Sequence, residues 1–548
     1  MAVTAAVADE PEPTGPLEPF EPADRAVLAF HHAAEVGDWD ELDRLWSAGI
    51  VAMVRDDAGL LRRTLDHLPA PVVAARPSMG VFRDALPVWA SDSDEDGYQA
   101  TLRAYADSSA RYLGPAWEQL PMGDLLIVGT GYLVHLRLAG RLVESAAVGA
   151  RIAGVLVGQR PSGRALDGRT AWFHLQRAMT STVLLDDAAA IRAYHRAWER
   201  GTGAGVDVVR AHAAANLAFT FALEGDGPRS RRWSDRSRSI DVRGWPGQQI
   251  VGLGVDLADG FLALDRLDDL AVERCLRRLG ERADLHELWP FVAFLAASHA
   301  VGTGRATEGL VELDRSQALH ADRAGGEGAA VVLTERARAD LLLACGRGDP
   351  AAAVVERAGG GRPWMRVPAA RLRVLGPDPD RRPGPGRPVS APVAWAAYTP
   401  ARNRDELLLL GAIERRDGGD RAAAARMTAQ ALDHCRRTVS LRPVASVAAG
   451  DAAGLLSLAG QALAPADATR LAGRPRAYPA TLVRVGLSGS EQSVLVALSG
   501  TPSRKAIAAS LYVSVNTIKS QLTSVYRKLG CTNRADALRV ASEQGLLP

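Results

Sequence analysis

From Asp24 to about Leu471, apolar residues recur every three or four positions, and no stretch alternates convincingly with the period of two that marks a half-buried strand. A chain patterned this way buries its apolar faces helix against helix, so the fold class is all-α. The helices are punctuated. The segments FHHAAEVGDWDELDRLW, HAAANLAFTFALEGDGPRSRRWSDRS and LLLLGAIERRDGGDRAAAARMTAQALDHC each run from an apolar helix through Gly-Asp into a second helix. Glycine takes the left-handed conformation that closes a helix, and the aspartate behind it can cap the next one. Gly37-Asp38, Gly225-Asp226 and Gly419-Asp420 therefore predict helical hairpins, and YLVHLRLAGRLVESAAVGARIAGVL and LADGFLALDRLDDLAVERCLRRLG read as degenerate copies.

Hairpins strung together are the unit of tetratricopeptide-like solenoids, although the turns here are irregularly spaced. The chain divides accordingly. Residues 1–24 form a tail that Pro11, Pro13, Pro16, Pro19 and Pro22 keep from being helical. Residues 25–472 are a helical-repeat sensor or interaction region, broken at 376–392 by GPDPDRRPGPGRPVSAP. Residues 473–486 (GRPRAYPATLVRVG) are a short, proline-punctuated linker able to hold the last domain at a defined angle or release it. That domain is 487–548.

Within it, Val515, Ile518, Leu522, Val525 and Leu529 make one apolar helical stripe, expected to be buried, with Ser514 as N-cap and Gly530 at the left-handed closing position. Ile507, Ala508 and Leu511 belong to a second short helix a few residues upstream. The opposite face of the later helix carries Asn516, Lys519, Ser520, Thr523 and Arg527, side chains suited to phosphates and base edges. A polar face is ordinarily just solvated, but charge adds weight to the other reading. All three lysines of the chain, Lys505, Lys519 and Lys528, lie in this segment. From residue 487 onward seven Lys/Arg stand against three Asp/Glu, net +4, leaving −2 for the remainder of a chain that is +2 overall. A basic module on a faintly acidic body fits a polyanionic partner.

The stretch LSGSEQSVLVALSGTPSRKAIAASLYVSVNTIKSQLTSVYRKLGCTNRADALRVASEQGLL resembles the LuxR-type helix-turn-helix, a four-helix DNA-binding domain of bacterial regulators. Leu487, Ser488 and Glu491 match its L-T-x-R-E opening; Ile507, Ala508 and Leu511 its I-A-x-x-L helix; Ser514, Thr517, Ile518 and Lys519 its S-x-x-T-V-K run; Tyr526, Lys528, Leu529 and Gly530 its Y-x-K-L-G close. Ser490, Ala506 and Gln521 depart from the usual Arg, Glu and His. The resemblance implies double-stranded promoter DNA as partner, with Arg504, Lys505, Ser514, Asn516, Thr517, Lys519, Ser520, Thr523, Arg527 and Lys528 as contact residues. Lys519, Ser520 and Thr523, with Ser514 at the helix start, are the expected reading positions; Asn516, Thr517 and Arg527 are expected to anchor on phosphates. It further implies a homodimer on DNA, paired partly through the last helix, 535–544, where Ala537, Leu538 and Ala541 form an apolar patch, and RNA polymerase as a further partner. The body resembles, more loosely, the helical-repeat portion of LuxR-type regulators of the MalT kind without their ATPase domain, which implies a small-molecule or protein effector on the repeats. The competing reading is a protein-interaction scaffold that uses DNA as an anchor.

Other functions find little support. With every lysine at or beyond residue 505, the body holds no G-K-[ST] phosphate loop, and no G-x-S-x-G, H-E-x-x-H or G-x-G-x-x-G stands in a supporting context. Cys275, Cys345, Cys435 and Cys531 are widely separated, and His31, His32, His174 and His212 lack a third ligand at recognisable spacing. No enzyme activity, cofactor or metal is expected. The tryptophans, Trp39, Trp46, Trp172, Trp198, Trp289 and Trp364, sit among apolar neighbours and read as packing residues. No run of about 18 apolar residues and no leader pattern appear, so the expected location is cytoplasmic.

Overall fold

The Gly-Asp turns are repeated in three dimensions with one geometry. A computed structural model describes residues 24–89, 95–115, 117–159, 164–243, 248–283, 287–321, 326–376, 400–482, 486–501, 503–543 and 546–547. In it Gly37, Gly225 and Gly419 have φ of 73°, 91° and 87°. The following amide reaches back to the helix just ended, Asp38 N to Ala33 O at 2.9 Å, Asp226 N to Phe221 O and Asp420 N to Arg415 O at 2.8 Å. The same aspartates then accept N–H bonds from Glu41, Arg229 and Ala423, each at 3.0 Å. One dipeptide thus satisfies both the carbonyls that close one helix and the amides that open the next.

Helical hairpins that turn through a glycine or leucine at positive φ recur along the described residues, with helices labelled in order: α1 (Asp24–Val36) and α2 (Trp39–Asp66); α3 (Thr130–Leu138) and α4 (Leu142–Gln159); α5 (Arg164–Val183) and α6 (Asp187–Ala204); α7 (Asp207–Glu224) and α8 (Gly227–Arg238); α9 (Gln248–Asp265) and α10 (Asp269–Ala283); α11 (Trp289–Gly302) and α12 (Ala306–Leu319); α13 (Ala329–Ala344) and α14 (Gly348–Ala358); α15 (Ala401–Asp417) and α16 (Arg421–Thr438). The described residues contain no strand, so the all-α reading holds and the body fits a helical repeat. The predicted degenerate copies are α3/α4, turning at Gly140 with φ 74°, and α9/α10, turning at Leu267 with φ 60°. The first described helix, α1, begins at Asp24. The tail before it, and the greater part of the proline-rich break (377–392), lie outside the described residues.

One continuous core runs from Ala171 to Leu482, and it is rich in alanine because first and second helices of neighbouring hairpins approach closely. Trp46, Trp289 and Trp364 are buried as expected of packing residues, Trp46 donating to Ser78 Oγ at 2.9 Å, whereas Trp39 is 39% exposed. His174 and His212 are buried, and His31 pairs with Thr64 Oγ1 at 2.9 Å.

Beneath the last hairpin the core turns ionic. Arg402 of α15 reaches Asp265 and the carbonyls of Ala222 and Leu223, Arg371 pairs with Glu406 at 3.0 Å, and Arg442 pairs with Glu406 at 2.6 Å. Burial alone would raise the Glu406 carboxyl, but Arg442, Arg371 and Arg336 pull it down to about 2. The linker is docked on this cluster: Tyr478 stacks under the Arg371 guanidinium at 3.8 Å, and Leu482 is buried in the main core with its amide on Leu375 O at 2.7 Å. Before these contacts, Arg474 forks onto Asp269 at 2.8 and 2.9 Å and donates to Gly302 O at 3.0 Å.

Candidate nucleic-acid interface

The last four helices, α17 (Gly489–Gly500), α18 (Arg504–Ser510), α19 (Val515–Leu529) and α20 (Arg534–Glu543), pack on two small clusters of their own, built wholly from residues 487–547. Each of the first three begins on a serine. Ser488 makes a reciprocal capping box with Glu491, its Oγ accepting from Glu491 N at 3.2 Å and its N–H donating to Glu491 Oε2 at 2.7 Å. Ser503 caps Ala506 at 3.3 Å and Ser514 caps Thr517 at 3.1 Å. Gly530 ends α19 with φ 67°. Arg534 ties α20 to α17 through Leu498 O at 3.0 Å.

Ile518, Leu522, Val525 and Leu529 hold α19 against α17 and α18, as the apolar stripe predicts. Val515 does not join them: it is 42% exposed, because the helix begins there, beyond the edge of α18. Together with Tyr512, 96% exposed at φ 55°, and Val513, it makes an apolar edge at the turn between α18 and α19. The sequence reading did not single out that edge; the clue was an aromatic residue standing in a turn.

The outward face of α19 presents Asn516, Ser520, Thr523 and Arg527 at helical spacing with Lys519 beside them, all exposed. The Ser520 and Thr523 hydroxyls donate back to Thr517 O and Lys519 O at 2.9 Å, which leaves their oxygens able to accept from outside. Arg504 and Lys505, exposed on the first turn of α18, share with Lys519 and Arg527 the absence of an acidic partner among the described residues. Two other expected contact residues are engaged within the domain. Ser514 Oγ is engaged with the Thr517 amide and, at 2.8 Å, with Thr517 Oγ1. Lys528 Nζ donates to Glu491 Oε2 at 2.6 Å and to Gly486 O at 2.9 Å, fastening α19 to the start of α17. The Lys528 ammonium, followed by the Ser488 amide, holds the Glu491 carboxyl down at about 2.

A basic outer helix cradled by two others, closed by a fourth, is what the sequence of this segment matches elsewhere: residues 485–541 fit the family described as bacterial regulatory proteins, luxR family. Residues 485–541 form a LuxR-family domain. The chain is similar to the transcriptional regulatory protein YdfI of Bacillus subtilis, 44% identical over 61 residues, which are 11% of this chain and 29% of that protein. It is also similar to the probable transcriptional regulatory protein NarL of Mycobacterium tuberculosis, 40% identical over 85 residues, 16% of this chain and 39% of NarL. The chain therefore spans well under half the length of these relatives.

In the LuxR domain the last helix contributes its small residues inward. Ala537 and Ala541 are fully buried in the domain's own core and Leu538 packs partly against it, so the apolar patch expected on α20 is closed by the domain itself. Among the described residues, no helix is long and apolar enough to cross a membrane.

Proposed function

We propose that this chain is a DNA-binding transcriptional regulator in which the LuxR domain reads duplex DNA and the helical repeats take up an effector or partner protein. The observation that carries the reading is the outward face of α19, where Asn516, Lys519, Ser520, Thr523 and Arg527 stand together on an otherwise well-capped, well-buried helix. That face has the dimensions and chemistry of a major-groove helix. Lys519, Ser520 and Thr523 take the base edges, Asn516 and Thr517 meet a phosphate at the helix N-terminus, and Arg527 meets the backbone about two turns beyond Lys519. Arg504 and Lys505 add phosphate contacts from α18, whereas Ser514 and Lys528 keep α19 in place. DNA binding as a homodimer, through a surface other than Ala537 and Ala541, and contact with RNA polymerase belong to the same reading.

On the repeats, a cleft of ≈ 330 Å³ at the seam between α3 and the start of α11 is lined by Asp107, His135, Arg137, Glu287, Trp289 and Glu327. Its size is at the lower end of small-molecule sites, and its mixed charge suits a small polar effector.

The test is sequencing of duplex DNA captured by the full chain, followed by substitution. Lys519→Ala should cost on the order of 1–3 kcal/mol on the best site and flatten preference at one or two base positions. Arg527→Ala should weaken all sequences alike and lower the slope of log K against log salt by about one. Equal weakening of specific and random DNA by Lys519→Ala would make Lys519 a phosphate contact and undo its reading role.

A further inference from the structure

Three successive hairpins, α5/α6, α7/α8 and α9/α10, start their second helices behind Asp186, Asp226 and Asp268, each accepting the N–H three residues on. Counted from these caps, the fourth and eleventh residues are buried in every case: Ala190 and Ala197, Ser230 and Ser237, Val272 and Leu279. The three helices therefore share one rotational register. In that register the sixth and tenth residues are arginine all three times, namely Arg192 and Arg196, Arg232 and Arg236, Arg274 and Arg278. A spacing of four sets each pair on one side of its helix, and all six are exposed.

Most of this charge is uncompensated. Arg278 pairs with Asp256 at 2.8 Å, but the other five engage no carboxylate among the described residues. Arg177 of α5 adds a further positive group beneath the first rung: burial and then Arg196 and Arg192 lower its pKa. His174 is driven down to about 3 by burial first and then by Arg196, Arg177 and Arg200. Glu199 and Asp235 are the exposed acids of α6 and α8, and Glu273 of α10 is held by Arg305 at 3.1 Å. One of the six is also held by aromatic packing. Arg236 lies over the Trp233 ring at 4.4 Å, and Trp233 meets Trp198 of α6 edge-on at 5.4 Å. A concentration of unpaired arginines on a body of net −2 costs self-repulsion and calls for a polyanion.

The path of the linker points to which polyanion. Arg474 is fastened at the α9/α10 turn, Pro475 packs on Gly304 in the α11/α12 turn, and Gly486 N meets Asp349 at the head of α14 at 3.3 Å. The linker thus touches the turn from which α10, the last arginine-bearing helix, begins, and runs on to the α11/α12 turn and the head of α14 before it enters the LuxR domain.

We propose that the arginine ladder of α6, α8 and α10 is a second, sequence-independent contact for duplex DNA, gripping the phosphate backbone beside the segment read by α19. Guanidinium groups suit phosphate, and arginines repeated at the pitch of packed helices, with few other polar groups able to read bases, position a duplex without reading it. This inference rests on DNA binding by the LuxR domain, and the experiment separates the two.

Full-length protein is titrated over a range of salt with random-sequence duplexes of about 15 and about 50 base pairs, roughly one and a half and five turns. Wild type should show a steeper dependence of log K on log salt with the long duplex, by about 0.9 per added phosphate contact. The variant R192S/R196S/R232S/R236S should lose roughly 3 to 4 of that slope on the long duplex and nothing on the short one. The corresponding four-lysine variant should keep the slope. Because Arg236 also packs on Trp233, R192S/R196S/R232S is measured beside it and should lose proportionately less. Serine variants that match wild type on both duplexes overturn the ladder as a DNA contact and leave it for an acidic protein. Wild type that binds neither duplex overturns DNA binding by the LuxR domain, and the ladder's role with it.

Discussion

Glu491 shows how little of a residue's work a motif announces. It matches a family position in the sequence, yet its carboxylate joins three things at once: the Ser488 amide that opens α17, the Lys528 ammonium near the end of α19, and through Lys528 the Gly486 carbonyl of the linker. Its folded pKa of about 2 lies below the ordinary carboxylate value, so it contributes stability that is present above about pH 4.5 and lost as pH falls toward 2. A fragment beginning at residue 486 should lose melting temperature over that interval, and E491Q should remove part of the loss. An acid slope identical in the two proteins would show that Glu491 does not couple the helices. The outward residues were legible because their polarity and spacing are set by local sequence; the inward turn of Lys528 was not, since its partners lie 37 and 42 residues away.

At the scale of helices, the three Gly-Asp turns were legible at once and the turns at Gly140 and Leu267 only as degenerate copies, whereas those at Leu185, Gly304 and Gly346 were not singled out because no Gly-Asp pair stands at the left-handed position. Leu185 and Leu267 take the same left-handed position with φ of 60°, and only the aspartate after each betrays the turn. The glycines are not equivalent either. A Cβ at Gly419 would meet nothing within 4 Å, so Gly419→Ala should cost only the left-handed penalty, about 1 kcal/mol. A Cβ at Gly225 would stand 3.1 Å from Arg402 N, against the residue that plugs Asp265 and the end of α7. Gly225→Ala should therefore lower the urea midpoint by clearly more than Gly419→Ala, because backbone there cannot yield without disturbing a buried ion pair. Equal midpoints would mean that α15 shifts freely on the turn. The apolar stripe of α19 misplaced only Val515, since periodicity gives a helix its buried side but not where a neighbouring helix stops covering it.

For the whole molecule the decisive stretch is the one that composition describes least well. Prolines and glycines between 473 and 486 leave open whether the stretch holds or releases the last domain, and most of it is bolted down, first by Arg474 on Asp269, then by Tyr478 under Arg371, then by Leu482 in the main core. None of these anchors is visible locally, because their partners lie from 107 (Arg371 for Tyr478) to 205 (Asp269 for Arg474) residues upstream in the chain. The consequence is mechanical. A ligand that changed the packing of α9 to α14 would move the strap that leads toward the LuxR domain. Arg474→Ala leaves Asp269 without its forked partner and frees the first anchor while keeping Tyr478 and Leu482 in the sequence. Chymotryptic cleavage at Tyr478, slow in the wild-type chain because the ring is covered by Arg371, should then accelerate several-fold, since local opening becomes cheaper while the hairpins stay folded. If the cleavage rate at Tyr478 is the same in both proteins, the Arg474 fork does not hold the strap, and Tyr478, Leu482 and the Gly486 contact with Asp349 suffice to keep it in place.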